Sequence, residues 1–250
     1  MLQFWDFASQ HTVVLTQVCR LRCYPCDLWK PQPPDPPSLS HVSSDRLSAA
    51  LLDRSFFDLF PRVKTYHIVG GDPVESPVLD LLVTYLVAHR VRVVLWTTGV
   101  GLSGLESLTH VHQVVLMVPA IDRTQYREYT GWDGFESVMD GLQTCRHLKK
   151  KVLVATTVQA ENLPFLPDIR EWCWHHQVPW LMTFYASDMV SRDVLSHIYH
   201  YHHVAGVSVI RQRKPKPGVC VHVPYDALQS PWGWVWLVLG KYRRYLPWVR

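Results

Sequence analysis

The sequence predicts an α/β fold: a partial (β/α)6, TIM-like barrel followed by a short C-terminal extension. Three observations carry that prediction. Short apolar, β-branched runs alternate with helical patterns, which means parallel strands joined by helical crossovers. The alternation stops after six units, short of the eight of a closed barrel. The 250 residues are 48% hydrophobic and only 18% charged, a composition that builds one large core and excludes a disordered polyelectrolyte.

The elements follow in order. Residues 11–19, "HTVVLTQVC", form a β-branched run ending at a cysteine and predict a buried first strand. Residues 30–40, "KPQPPDPPSLS", are too rich in proline for helix and predict an extended loop. Residues 43–60 open on a Ser/Asp cap signal and keep helical periodicity. Then come a strand at 64–71, a helix at 77–90, and strands at 91–99 and 112–120. The amphipathic helix at 134–151 is basic at its C-terminal end, as the helix dipole prefers. A strand at 151–159, a helix at 166–177, a strand at 179–186 and a helix at 191–203 complete the alternation.

The rhythm changes after residue 206, so the chain divides into a barrel, 1–206, and an extension, 207–250. Residues 207–223 read as two short strands around a basic Pro/Gly turn, a hairpin. The tail after it interleaves Trp232, Trp234, Trp236 and Trp248 with Lys241, Arg243, Arg244 and Arg250. Its first reading is cover for the open barrel edge. Peripheral contact with a membrane surface is the second.

Net charge is +4, which permits anionic ligands but lacks the asymmetry of a dedicated nucleic-acid binder, so nucleic acid is not an expected partner. The start, "MLQFWDFASQ", has no basic region followed by a long apolar stretch, and the longest apolar run, 231–240, is too short to span a bilayer. A cytoplasmic location is the expectation, and a reducing compartment argues against a disulfide framework.

Of six cysteines, Cys19, Cys23 and Cys26 crowd into "CRLRCYPC", while Cys145, Cys173 and Cys220 stand apart. Three thiols without a fourth do not close a structural zinc site. They do suit a cubane [4Fe–4S] cluster, in which each iron takes a terminal ligand and one iron stays open. The Cys-x3-Cys-x2-Cys spacing lets a single loop reach three corners. Its place after the first strand is the C-terminal rim, where parallel barrels keep their chemistry. A zinc knuckle borrowing a histidine such as His67 is the bland alternative.

A second motif is "GGDP", Gly70, Gly71, Asp72 and Pro73, at the end of the second predicted strand. Two glycines allow close main-chain approach, and a carboxylate can receive an ammonium group. The two motifs together resemble the radical S-adenosylmethionine enzymes, whose cysteine signature follows the first strand and whose second strand ends in Gly-Gly-Glu-Pro. "TTG" at 97–99 is similar to that family's Thr-Asn-Gly, with Thr98 in place of Asn. "AID" at 120–122 resembles its Ser-Ile-Asp, with Asp122 matching and Ala120 replacing Ser. "TTVQAEN" at 156–162 resembles the end of its fifth strand, with Thr156 and Asn162.

The resemblance implies an enzyme holding a [4Fe–4S] cluster on Cys19, Cys23 and Cys26. It also implies S-adenosyl-L-methionine bound beside that cluster, with Gly70, Gly71, Asp72 and Pro73 at its methionine end. Thr98, Asp122, Thr156 and Asn162 would then be further cofactor contacts. The implied reaction is reductive cleavage of the cofactor to a 5′-deoxyadenosyl radical that abstracts hydrogen from a peptide or small-molecule substrate. An electron donor such as flavodoxin or ferredoxin would be a partner. Pro25 stands where that family generally has an aromatic residue, with Tyr24 one position earlier. The alternative is a catalytically inactive iron–sulfur or zinc binding module acting as a partner protein. Cys145 and Cys173 fall within helical patterns and read as buried structural thiols. His197, His200, His202 and His203 read as a solvated histidine-rich face.

Overall fold

A computed structural model describes residues 10–24, 26, 44–184 and 220–224. Among the described residues seven strands make one sheet in the order β1 to β7, with every neighbouring pair parallel. They are β1 (Gln10–Thr16), β2 (Thr65–Gly70), β3 (Arg92–Thr97), β4 (Gln113–Met117), β5 (Lys151–Thr157), β6 (Trp180–Phe184) and β7 (Cys220–Pro224). The helices are α1 (Ser44–Leu52), α2 (Phe56–Leu59), α3 (Leu79–Ala88), α4 (Arg123–Thr130), α5 (Phe135–His147) and α6 (Leu166–His175). The sheet is open, as expected of a partial barrel. Among the described residues no helix is long and apolar enough to cross a membrane.

Three differences from the sequence reading have physical causes. The first strand stops at Thr16, three residues short of Cys19, because its register against β2 shifts between Val14 and Thr16. The helix expected over 43–60 is two helices, broken where Arg54 turns left-handed at φ 60°. Residues 220–224, read as one arm of a hairpin, run parallel to β6 as a seventh strand. The other arm, the helix at 191–203 and the tail lie outside the described residues.

The break at Arg54 is one case of a repeated device. Arg54, Arg90, Lys149 and Gln177 all have positive φ, and each sits one residue past its helix's final bonds. The amide after each reaches back five residues, Ser55 to Ala50 O, Val91 to Leu86 O, Lys150 to Cys145 O and Val178 to Cys173 O, all between 2.8 and 3.0 Å. This is the left-handed helix stop usually given to glycine, here built from long polar residues that tolerate the strain at the surface.

Period-two alternation divides the sheet into two faces. Val13, Ile68, Leu95, Leu116 and Val154 point to the helices and share a core with Phe56, Leu82, Leu142 and Ile169. Val94, Val115, Ala155 and Leu181 form a separate buried row with Trp96, Met117 and Leu153, to which, among the described residues, no helix contributes. That row is the concave face.

His67 lies opposite Val94 in register and so shares the concave side. It is only 6% exposed. Trp96 Nε1 donates to its Nδ1 at 3.1 Å, which leaves Nε2 to donate to Gln10 Oε1 at 2.8 Å. Burial holds the neutral ring, pushing its pKa down to about 4. A base with a depressed folded pKa contributes stability that is present above its ordinary value and lost as pH falls through the window. Between about pH 6.5 and 4, this one group should therefore cost the fold roughly 3 kcal/mol. Urea unfolding of wild type and His67→Gln across that window should show the gap between them shrinking toward acid; a constant gap contradicts the assignment.

Candidate functional site

The cysteine loop is fastened on both sides by main-chain hydrogen bonds. After β1, Gly71 N donates to Thr16 O at 2.7 Å and Asp72 N donates to Val18 O at 2.8 Å. On the other side Arg22 N donates to Thr130 O at 2.8 Å and Tyr24 N to Tyr129 O at 3.0 Å. Leu21 anchors the middle in the core, and Arg20 pairs with Glu75 while lying 5.7 Å from the centroid of Trp132. Cys26 N closes a turn on Cys23 O at 3.0 Å. Cys19 and Cys23 are thus carried between fastened points, and Cys26 follows in a turn closed on Cys23.

The glycines of the second motif are required by this fastening. A Cβ on Gly70 would stand 2.3 Å from Thr16 O, and one on Gly71 would stand 2.3 Å from Val18 O. Gly70 also has φ +151°, a region other residues rarely enter. The close approach is to the chain's own cysteine loop.

Burial raises the Cys19 pKa to about 11 and that of Cys23 to about 12. Such thiols stay protonated near neutrality and become thiolates only when a cation takes the sulfur. Among the described residues no three His, Cys, Asp or Glu side chains converge tightly enough to enclose one metal ion. A four-iron cluster does not ask for that, since each thiolate binds its own iron. His67 does not serve a zinc knuckle, because Gln10 and Trp96 engage both its ring nitrogens. The donor set fits a cluster held by three thiolates.

Asp72 is 1% exposed and every part of its carboxylate is engaged by protein. Oδ1 accepts from Val74 N at 3.2 Å and from Thr97 Oγ1 at 2.8 Å. Oδ2 accepts from Thr98 N at 3.2 Å and from the Thr98 hydroxyl. Burial pushes its pKa up, opposed by these hydrogen bonds, led by that from the Thr98 hydroxyl. Asp72 therefore ties the end of β2 to the end of β3 and caps the 3-10 turn Pro73–Glu75, in which Pro73 is buried at the first position. Thr98 is brought into the same cluster, and its hydroxyl belongs to Asp72.

The remaining residues singled out from the sequence take structural positions around the rim. Asp122 is the N-cap of α4, its Oδ1 accepting from Thr124 N at 2.9 Å and Gln125 N at 3.0 Å. Its contribution to the cysteine loop is indirect, through the helix whose last turn holds Arg22 and Tyr24. Thr156 lies on the helix-facing side of β5, donating to Val118 O at 2.7 Å and accepting from Trp180 Nε1 at 3.0 Å. Asn162 is fully buried and closes the turn after β5, with Oδ1 accepting from Gln159 N at 2.8 Å and Nδ2 donating to Thr157 O at 2.9 Å. Cys145 and Cys173 are buried core thiols, as read. The side chain of Cys220, Pro25 and residues 197–203 are outside the described set.

Sequence reasoning passed over α4 as a helix, together with Thr97 and Trp180. The signal for α4 was available: Asp122 before the first turn, Tyr126, Tyr129 and Thr130 at helical spacing, and Gly131 at the left-handed stop with φ 68°.

No protein-family model matches the chain. A curated relative, the AdoMet-dependent heme synthase of Oleidesulfovibrio alaskensis, is 26% identical over 175 residues, 64% of this chain and 43% of its own length. Streptococcus suis SuiB, solved bound to the precursor peptide SuiA, superposes with a TM-score of 0.59 at 13% identity over 89% of this chain and 51% of SuiB. The protein anSMEcpe, solved with bound AdoMet and Cp18Cys peptide, gives 0.55 at 12% identity over 79% of this chain and 61% of its own. The chain thus spans less than half of the curated relative and about half of SuiB. All three are radical S-adenosylmethionine enzymes, and the resemblance read from the sequence is borne out.

Two substitutions test the roles assigned to motif residues. Gly71→Ala should push Val18 away, cost about 1–3 kcal/mol in urea unfolding, and lower iron retention after reconstitution. Unchanged stability and iron content would count against the fastening. Thr156→Val leaves the buried Trp180 indole N–H unpartnered and should cost about 1–3 kcal/mol. Equal unfolding midpoints with weakened cofactor binding would return Thr156 to a ligand role.

Proposed function

We propose that this chain, which has the fold and the motif order of the radical S-adenosylmethionine enzymes, initiates radical chemistry on a peptide or small-molecule substrate. The observation that supports the reading is a cysteine loop fastened to the Gly70–Asp72 turn on one side and to the last turn of α4 on the other, with Cys19 and Cys23 within the fastened stretch and Cys26 in the turn that follows. In this reading the three cysteines hold a [4Fe–4S] cluster. The chemistry such a cluster supplies when bound is reductive cleavage of S-adenosylmethionine, releasing the 5′-deoxyadenosyl radical that takes hydrogen from the substrate.

The protein's own part is positional. Gly70 and Gly71 bring the β2 turn against the cysteine loop, so a cofactor lying on that turn also lies beside the cluster. The Asp72 carboxylate, held by Thr97 and Thr98, fixes the height of the β2 and β3 ends relative to one another. The main-chain groups of that turn are what a methionine ammonium and carboxylate would meet. The buried row of Val94, Val115, Ala155 and Leu181 makes the helix-free face of the same sheet apolar, and an apolar wall of this kind helps keep water from a reactive intermediate.

A peptide substrate is favoured within this reading because SuiB and anSMEcpe were solved with peptides bound. A flavodoxin or ferredoxin would deliver the electron. A cytoplasmic setting agrees with thiols that must stay reduced.

Anaerobic reconstitution with iron and sulfide, followed by dithionite and S-adenosylmethionine, tests the proposal. Wild type should accumulate 5′-deoxyadenosine by chromatography, and Cys23→Ala should lose both iron and product. Cluster loading without cleavage would favour a binding module, and iron-free protein would remove the cysteine assignment.

A further inference from the structure

The end of the sheet opposite the cysteine loop concentrates positive charge that the proposed chemistry does not use. The strands are parallel, so the segments entering β3 to β6 meet at one end: "AHRVR" (88–92), "THVHQ" (109–113), "RHLKKK" (146–151) and "WHHQV" (174–178). None of them contains an aspartate or a glutamate. Hydrogen bonds and register make them one surface. His112 N donates to Val93 O at 2.9 Å, Gln113 lies opposite Lys151, and Lys150 Nζ donates to Val111 O at 3.1 Å. A bond from Arg146 Nη2 to His176 O joins the ends of α5 and α6. Burial pushes the His112 pKa down, and Lys151, Arg92 and Lys150 push it further, as neighbouring cations do. Glu171, a turn back in α6, approaches His175 at 3.4 Å.

Two of these cations stand where glycine would be the easier residue. Arg90 and Lys149 are left-handed helix stops, with φ 60° and 52°, and both are exposed. The strand after each begins two residues later, so helix turns into strand without a projecting loop. Among the cations stand two exposed apolar side chains. Leu148, at the end of α5, is 38% exposed, and Trp174, in the last turn of α6, is 61% exposed. A flat base that mixes cations with a tryptophan and a leucine matches the headgroup layer of an anionic bilayer. There the cations meet lipid charge and the indole sits at the interface. A nucleic acid would use the charge and leave Leu148 idle.

We infer that this base, with Arg90, Lys149, Lys151, Leu148 and Trp174 as its contacts, docks on the surface of an anionic lipid bilayer. The inference stands apart from the cluster reading. Strands of five to seven residues, rising about 3.3 Å each, set the base about 15–20 Å from the cysteine rim. A bilayer seated on the base therefore leaves the rim open to substrate.

Co-sedimentation of the full chain with vesicles tests this. The chain should pellet with mixed phosphatidylcholine and phosphatidylserine vesicles, stay in solution with phosphatidylcholine alone, and bind more weakly in high salt. Combining Arg90→Gln, Lys149→Gln and Lys151→Gln should weaken binding about 100-fold. Glutamine suits these positions, since Gln177 makes the same stop with φ 51°. Trp174→Ala should weaken binding in low and high salt alike, because lost apolar contact is not screened. A footprint on wild type serves even if the triple variant folds poorly: phosphatidylserine vesicles should protect Lys149 and Lys151 from acetylation, read by mass spectrometry. Binding that survives the triple substitution, or protection confined to Lys241 of the C-terminal tail, would overturn the inference and move the contact elsewhere. Equal binding to both kinds of vesicle would overturn it as well. So would no pelleting at all, and retention on duplex RNA or on polyglutamate would then name the polyanion that the base takes instead.

Discussion

Two hydrogen bonds, Gly71 N to Thr16 O and Asp72 N to Val18 O, are what the rest of the site depends on. They join motifs more than 50 residues apart, and they form only because neither glycine has a Cβ to strike the opposing carbonyls. Everything the cysteine loop presents is placed relative to this seam. The second seam, to the end of α4, then fixes how far the loop can swing away. A loop held on one side only would let three thiols wander independently, at an entropic cost to any ligand that must gather them.

Asp72 has a different part from the one its motif suggests. A glutamate at this position has the length to reach outward, but an aspartate ends within bonding distance of Thr97, Thr98 and its own turn. The shorter side chain becomes an internal brace, and the partner it finds is the Thr-Thr pair that replaces Thr-Asn at the end of β3. The two departures from the family pattern are thus physically linked. A carboxylate buried there is tolerable because four donors surround it.

The sheet and its helices were legible because each strand is a short β-branched run and each helix an amphipathic one. The cysteines and the Gly-Gly pair were legible because thiol spacing and paired glycines have few other uses. What could not be read was where side chains spend their hydrogen bonds. Thr156 and Asn162 are polar residues at a strand end whether they face a ligand or brace a turn, and only three-dimensional partners such as Trp180 and Gln159 decide. The helix stops at Arg54, Arg90, Lys149 and Gln177 were invisible for a related reason: a left-handed stop is signalled by glycine, and here none is used. The strand read as ending at Cys19 was over-long because a register shift leaves no compositional mark.

The clamp on the cysteine loop also has a history in time. Its two halves come from residues 71–72 and 129–130, so the loop leaves the ribosome long before the chain that holds it exists. Synthesis runs at about 5–20 residues per second, which separates the thiols from the end of α4 by several seconds. During that interval the cysteines belong to an unbraced segment exposed to whatever metals and oxidants are nearby. Contacts this distant along the chain also form late in folding. The clamp can therefore close only after residue 130 has been made, so the cysteine loop is braced well after its own synthesis.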